Sequence, residues 1–378
     1  MKYPIGIQDF EDLQRNGYAY VDKTNFVYKL ADEGKYYFLS RPRRFGKSLF
    51  LSTLEAYFQG KKELFKGLAI YDLETEWKKY PIFHIDLNTA NFREKNSLYT
   101  VLNDYLTTWE SKYGTRESEA TLALRFKGVI ARAAEKEGCG VVILIDEYDK
   151  PILQTLRDPE LQAEHRAQLK AFYSVLKTQD RYIKFAFLTG VIKFGKVSAF
   201  SDLNNLTDIS MDHRYISICG MTEKELLTNF KEGIGELASA NEDNETETID
   251  KLRMRYSGYH FEENSEEIYN PFSVLNTLAN SRYDDYWFKA DTHTFLIDIL
   301  KKHDYCITDL NKTQVKANMM NNVDFNPIPV IYQSGYLTIK SYDERFKNYQ
   351  LGIPNKEVEE GILNTLLPHG CKTAEMDC

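Results

Sequence analysis

Two short stretches carry residue types that could do chemistry on an anionic group. The first is Ser40-Arg41-Pro42-Arg43-Arg44-Phe45-Gly46-Lys47-Ser48-Leu49, which follows the apolar run Tyr36–Leu39 and opens a helical pattern. Backbone N–H groups at a helix start attract anionic oxygens, a lysine there reaches the β- and γ-phosphates of a triphosphate, and a hydroxyl beside it suits Mg²⁺. Gly46, Lys47 and Ser48 supply those parts, and Arg41, Arg43, Arg44, Phe45 and Leu49 complete the candidate binding loop. Arg41, Arg43, Arg44 and Lys47 fall within seven residues without an acid among them, so they repel one another unless a polyphosphate is present. The glycine usual five positions before Gly46 is Arg41, which implies a loop of different shape, because arginine enters positive φ at a cost. Taken alone, the stretch also reads as a solvated basic loop.

The second stretch decides between those readings. Val141–Ile145 is an aliphatic strand pattern that ends in Asp146 and Glu147. A carboxylate at a strand terminus facing a phosphate loop complements a metal, so Asp146 is expected to hold Mg²⁺ together with Ser48. Glu147 is expected to take a proton from an attacking water. Thr189, at the end of Phe185–Gly190, is the third candidate, a hydroxyl beside the γ-phosphate; Lys47, Glu147 and Thr189 form the proposed catalytic set. Lys193, Lys196 and Arg214 follow as candidates for a cation that meets charge growing on the transferred phosphoryl. The seven histidines make no His-x-x-x-His pair; His84 reads as a satisfied core histidine and Asp86 as a cap.

These residues need elements to position them. Strands are expected at Tyr36–Ser40, Pro81–Leu87, Val141–Asp146 and Tyr182–Gly190, alternating with helices at Phe45–Phe58, Leu98–Trp109, Glu117–Glu135 and Pro159–Lys177. That alternation implies an α/β fold with a parallel sheet covered by helices on both faces, and with ligands at the carboxyl ends of its strands. The acidic stretch Ala238–Asp250 is the best linker candidate and reads as a solvated acidic loop or a frayed helix start. Helices are expected at Thr222–Phe230, Ile249–Tyr256, Pro271–Asn280 and Thr292–His303, and the alternating runs Val330–Ile339 and Asn348–Leu351 suggest a hairpin. The domain expectation is a phosphate-binding domain over 1–220, a helical lid over 221–290 and a small winged-helix-like region over 291–378.

Length and composition agree with this. The 378 residues suffice for two or three domains; 43% hydrophobic and 28% charged residues describe a folded protein rather than a disordered one. The net charge of -8 argues against coating nucleic acid with the whole surface. Five cysteines without a Cys-x-x-Cys spacing point to a reducing interior and no cysteine zinc site. The longest aliphatic run, Val141–Ile145, is far short of a membrane span, and the N-terminus does not begin a signal peptide, so a cytoplasmic location without membrane contact is expected.

With these residues in view, the chain resembles the bacterial AAA-ATPase-like family. The similarity rests on Tyr3–Phe10, Tyr20–Thr24, Ser40–Ser48, Leu144–Pro151, Leu188–Val191, Asn204–Ser210, Tyr256–Tyr259 and Tyr269–Ser273. In that family the Arg-Pro-Arg-Arg-Phe-Gly-Lys-Ser loop is the usual form. The resemblance implies a P-loop NTPase that binds and hydrolyses ATP with Mg²⁺, with the N-terminal segment through Thr24 on the adenine side. It also implies a C-terminal PD-(D/E)XK nuclease-like domain, which the residues after Gly352 are too few to form, so any nucleic-acid role is expected through a partner or that missing module. A homo-oligomer is a further possibility of the resemblance. The competing reading is a nucleotide-binding switch or interaction protein with little or no hydrolysis.

Overall fold

A computed structural model describes residues 1–193, 205–289, 310, 313–320 and 327–366. Short helices α1 (Phe10–Arg15) and α2 (Thr24–Glu33) precede β1 (Tyr36–Ser40) and α3 (Lys47–Phe58). There follow α4 (Ile70–Leu73), β2 (Ile82–Asp86), α5 (Ser97–Tyr113), α6 (Leu122–Glu137), β3 (Val141–Asp146), α7 (Lys150–Gln154), α8 (Pro159–Thr178), β4 (Ile183–Gly190) and β5 (Thr207–Asp208). These five strands form one sheet in the order β2-β3-β4-β1-β5, and every neighbouring pair is parallel.

The sheet is buried on both faces, and strand alternation sorts the side chains. Tyr37, Leu39, Val142, Leu144, Phe185 and Phe187 pack with α3 in one core. Tyr36, Phe38, Val141, Ile143, Ile145, Ala186 and Leu188 pack with α5, α6 and α8 in the other. Asp146 and Thr189 continue the register of the α3 side, which turns both toward the helix that begins at Lys47. The expected strands and helices of this half match the observed ones to within a few residues at their ends.

Past the sheet lie α9 (Glu223–Asn229), α10 (Lys231–Ala240), α11 (Glu245–Tyr256), α12 (Pro271–Asn280) and α13 (Tyr286–Lys289). The acidic stretch 238–250 holds the end of α10, a short turn and the start of α11. Asn244 and Glu247 form a capping box at the start of α11, and Glu245 and Glu247 sit in its first turn, where carboxylates suit the helix dipole. The chain continues through β6 (Gln314–Lys316), α14 (Pro327–Gln333), β7 (Thr338–Asp343), β8 (Asn348–Gly352) and α15 (Lys356–Leu366). The hairpin expected from Val330 forms only from Thr338 onward. Pro327 opens a helix instead, and Gly335, with φ of 91°, turns the chain before the strand. β6, β8 and β7 make a small antiparallel sheet. The helix expected over Thr292–His303 lies outside the described residues.

The C-terminal elements share a core with the sheet. Trp287, Ile331, Tyr332, Leu337, Ile339, Tyr349 and Leu351 belong to the same apolar cluster as Phe45, Phe50 and Leu54. No helix of the described residues is long and apolar enough to cross a membrane.

Candidate functional site

The turn between β1 and α3 is built from two left-handed residues. Gly46 has φ of 94° and Arg44 has φ of 69°, a conformation that glycine adopts freely and arginine does not. Surrounding contacts hold Arg44 there: its guanidinium stacks 4.7 Å over the Phe272 ring. The Trp287 indole N–H donates to the Arg43 carbonyl at 3.0 Å. Phe45 is buried edge-on against Tyr259 and Phe261, at 4.9 and 5.8 Å. Gly220 N–H donates to the Phe45 carbonyl at 2.9 Å. The loop is thus gripped by elements from beyond residue 220.

Lys47 begins α3 and is 4% exposed. Its ammonium donates to the carbonyls of Arg41 and Pro42, at 3.1 and 3.2 Å, and lies 3.3 Å from the Glu147 carboxylate. The first turn of α3 and the acidic end of β3 therefore meet. Asp146, at that strand end, accepts on Oδ1 from the Thr189 hydroxyl at 2.5 Å and from the Glu147 N–H at 3.0 Å. Among the described residues, neither of these donors nor any other hydrogen-bonds Asp146 Oδ2. Glu147 has φ of 49°, so the chain turns sharply after β3 and sends consecutive carboxylates to different surroundings.

Asp149 was not singled out in the sequence, yet it is the fully buried acid of the site. Its Oδ2 accepts from Val191 and Ile192 N–H, at 3.0 and 2.6 Å, which ties the segment after β4 to the turn after β3. Burial foremost, then the charge of Glu147, pushes its carboxyl up to about 7. Gly190 fits closely against it: a Cβ there would stand 2.5 Å from both Asp149 Oδ1 and Tyr148.

A cavity of about 780 Å³ opens over this junction. Arg43, Arg44, Gly46, Lys47, Ser48, Leu49 and Glu147 line it, as do Lys150 and Arg93. Five cations thus face a single acid, Glu147, in a chain whose net charge is -8. Ile5, Ile7, Phe272 and Leu275 add apolar surface to the same cavity, beside Gln8 and Asn276. This lining suits a ligand with a polyanionic part and a partly apolar part.

Four expectations change. Arg41 does not line the cavity; its side chain is 1% exposed and turned under the loop. It donates to the carbonyls of Ser40, Ser210, Tyr215 and Ile216 and stacks 4.0 Å from the Phe261 ring, with burial drawing its pKa down to about 10. Carbonyl oxygens, rather than an external anion, relieve its charge. Phe45 likewise packs inward, leaving the cavity to Arg43, Arg44 and Gly46–Leu49. Of the three cations proposed for charge relief, Lys193 pairs with Asp208, Arg214 pairs with Asp212 at 2.6 Å, neither lines the cavity, and Lys196 lies outside the described residues. Thr189 is fully buried against Asp146 and does not reach the cavity wall. His84 is satisfied, bonding Glu55 at 2.7 Å, but it is half-buried rather than in the core; Asp86, also half-buried, caps the turn after β2 by accepting from Asn88 N–H at 2.8 Å.

Sequence reasoning missed the distant half of the wall. Arg93, Gln154, Phe272, Asn276, Trp287, Ser334 and Tyr336 lie far from the loop in sequence and none sits in a chemically suggestive spacing. The one available signal is Asn270-Pro271, a helix-opening pair: the Asn270 side chain accepts from Phe272 and Ser273 N–H, which fixes where Phe272 meets Arg44.

The donor set fits Mg²⁺. A serine hydroxyl on the cavity wall and a carboxylate with one oxygen free of protein donors match the sparse, oxygen-only ligation this ion takes beside phosphates. Among the described residues no group of three or more His, Cys, Asp or Glu side chains could hold a metal unaided.

Comparison with known proteins identifies the family of the chain. Residues 4–200 match the AAA-ATPase-like family, described as "Predicted AAA-ATPase". A protein of Azotobacter chroococcum mcd 1, described as an uncharacterized protein in the vnfD 5' region, is 38% identical over 372 residues, covering 97% of this chain and 70% of the relative. No solved structure matches.

Proposed function

The chain belongs to the AAA-ATPase-like family, and from that premise we propose that it binds ATP in the cavity above α3 and hydrolyses it with Mg²⁺. The observation that carries the reading is the ion pair between Lys47 and Glu147 in a cavity lined by four further cations, which brings the phosphate loop and the acidic strand end to one point. Backbone N–H groups at the start of α3, with Lys47, bind the phosphates. Ser48 and Asp146 would hold Mg²⁺, which supplies positive charge to phosphate oxygens when bound. Thr189 acts through Asp146, orienting that carboxylate by its hydrogen bond. Glu147 accepts the proton of the attacking water and exchanges its partner Lys47 for the ligand. The apolar surface of Ile5, Ile7, Phe272 and Leu275 receives the base, while Trp287, Phe272 and Tyr259 pass a change in loop shape to the C-terminal elements and to a partner that reads them.

Phosphate release and thermal unfolding test this. ATP with Mg²⁺ at about a hundred times Kd is expected to stabilise the wild type by about 3 kcal/mol. Lys47→Ala abolishes that stabilisation, whereas Glu147→Gln keeps it and loses turnover. Stabilisation without turnover in the wild type would support the switch reading instead, and absence of stabilisation would refute ATP binding.

A further inference from the structure

Among the described residues, one cation of the cavity comes from outside the phosphate loop and has no protein partner. Arg93 lies in the connection between β2 and α5 and lines the same cavity as Lys47 and Ser48. Each other lining cation is engaged. Lys47 is held by two carbonyls and Glu147. Lys150 donates to the Asn88 carbonyl and side-chain oxygen, at 3.0 and 2.8 Å. Arg44 rests on Phe272, and Arg43 also has a partner. Among the described residues, the Arg93 guanidinium makes no hydrogen bond, ion pair or ring contact.

Its backbone, in contrast, is firmly set. The preceding residue, Phe92, is fully buried. Its N–H donates to the Gln154 side chain at 2.7 Å, and its carbonyl faces His165 Nε2 at 2.9 Å. The Phe92 and His165 rings meet edge to face at 6.2 Å, and His165 is itself buried on α8. A ring and both backbone polar groups are thus fixed immediately before a charged side chain with no protein partner. The anchored backbone sets where the exposed Arg93 side chain leaves the cavity wall, and its guanidinium stays open to an anionic ligand.

Resting on the ATPase reading above, we propose that Arg93 is a catalytic residue, the cation that contacts the γ-phosphoryl group during hydrolysis and is supplied by the same chain. In that reaction the water oxygen forms a bond to the γ-phosphorus while the bond from that phosphorus to the β–γ bridging oxygen breaks. The bond's electron pair leaves on the β-phosphate, Glu147 takes the water proton, and ADP and inorganic phosphate result. Arg93 neutralises charge on the oxygens of the moving phosphoryl.

The test compares ATP turnover and ATP binding of the wild type, Arg93→Ala, Arg93→Lys and Glu147→Gln. Arg93→Ala should lower kcat by about 100-fold or more while Kd for ATP changes less than about threefold, with Arg93→Lys recovering part of the rate. A merely structural arginine would instead lower the melting temperature and leave kcat of the folded fraction intact. An equimolar mixture of Arg93→Ala and Glu147→Gln should remain inactive, because cation and base must belong to one chain. Recovered turnover in the mixture overturns the same-chain assignment, and wild-type kcat in Arg93→Ala overturns the role. A wild type that neither binds nor hydrolyses ATP overturns the ATPase reading itself, a result distinct from either of these.

Discussion

Replacing Glu357 by glutamine should change how stability depends on pH. The Glu357 carboxyl is fully buried at the start of α15, accepts the Ser273 hydroxyl at 3.0 and 2.8 Å, and accepts the Trp287 N–H at 2.8 Å. Through Trp287 it steadies the indole that holds the Arg43 carbonyl of the phosphate loop. Burial, the largest cause, raises its pKa from 4.5 to about 8, against the opposing hydrogen bonds from Ser273 and Trp287. An acid whose folded pKa is raised binds its proton more tightly in the folded state. Stability is therefore full below about 4.5, falls as pH rises through about 8, and is level above that. Moving the midpoint this far corresponds to roughly 5 kcal/mol at about 1.4 kcal/mol per pH unit. Asp149, raised to about 7, adds a fall of the same sign, so the difference between variant and wild type isolates Glu357. Glutamine can accept from Trp287 N–H and donate to the Ser273 oxygen without ever ionising. Urea unfolding midpoints measured from pH 5 to pH 9 should nearly coincide at the acid end, with Glu357→Gln more stable by several kcal/mol at the alkaline end. Parallel curves across that range would refute the argument.

Two further substitutions separate the loop's support from its chemistry. Trp287→Phe keeps a ring in the core but removes the donor to the Arg43 carbonyl; the loss of about 1 kcal/mol should weaken ATP binding about fivefold by calorimetry, and an unchanged Kd would contradict the proposed support. Arg41→Met leaves the carbonyls of Ser210, Tyr215 and Ile216 without their donor, so chemical denaturation should register a destabilisation of about 3 kcal/mol, while the folded fraction keeps its ATP affinity. A selective loss of affinity would instead return Arg41 to the cavity.

The alternation of buried runs and helical stretches was enough to specify a parallel sheet, because strand and helix periodicities are local properties that each segment carries alone. The same locality made Gly46-Lys47-Ser48 and Asp146-Glu147 legible: a helix start and a strand end have chemical consequences wherever the chain goes next. Only the tertiary structure decided the roles of individual arginines. Arg41, Arg43 and Arg44 look alike in sequence, yet carbonyls from residues 210–216 draw Arg41 inward, and Phe272 holds Arg44 at the cavity. Arg93 has no spacing that marks it, and its setting depends on Gln154 and His165, which bond the preceding Phe92 from 62 and 73 residues away. Side chains acquire partners through contacts between distant segments, and such contacts leave no periodic trace in the chain.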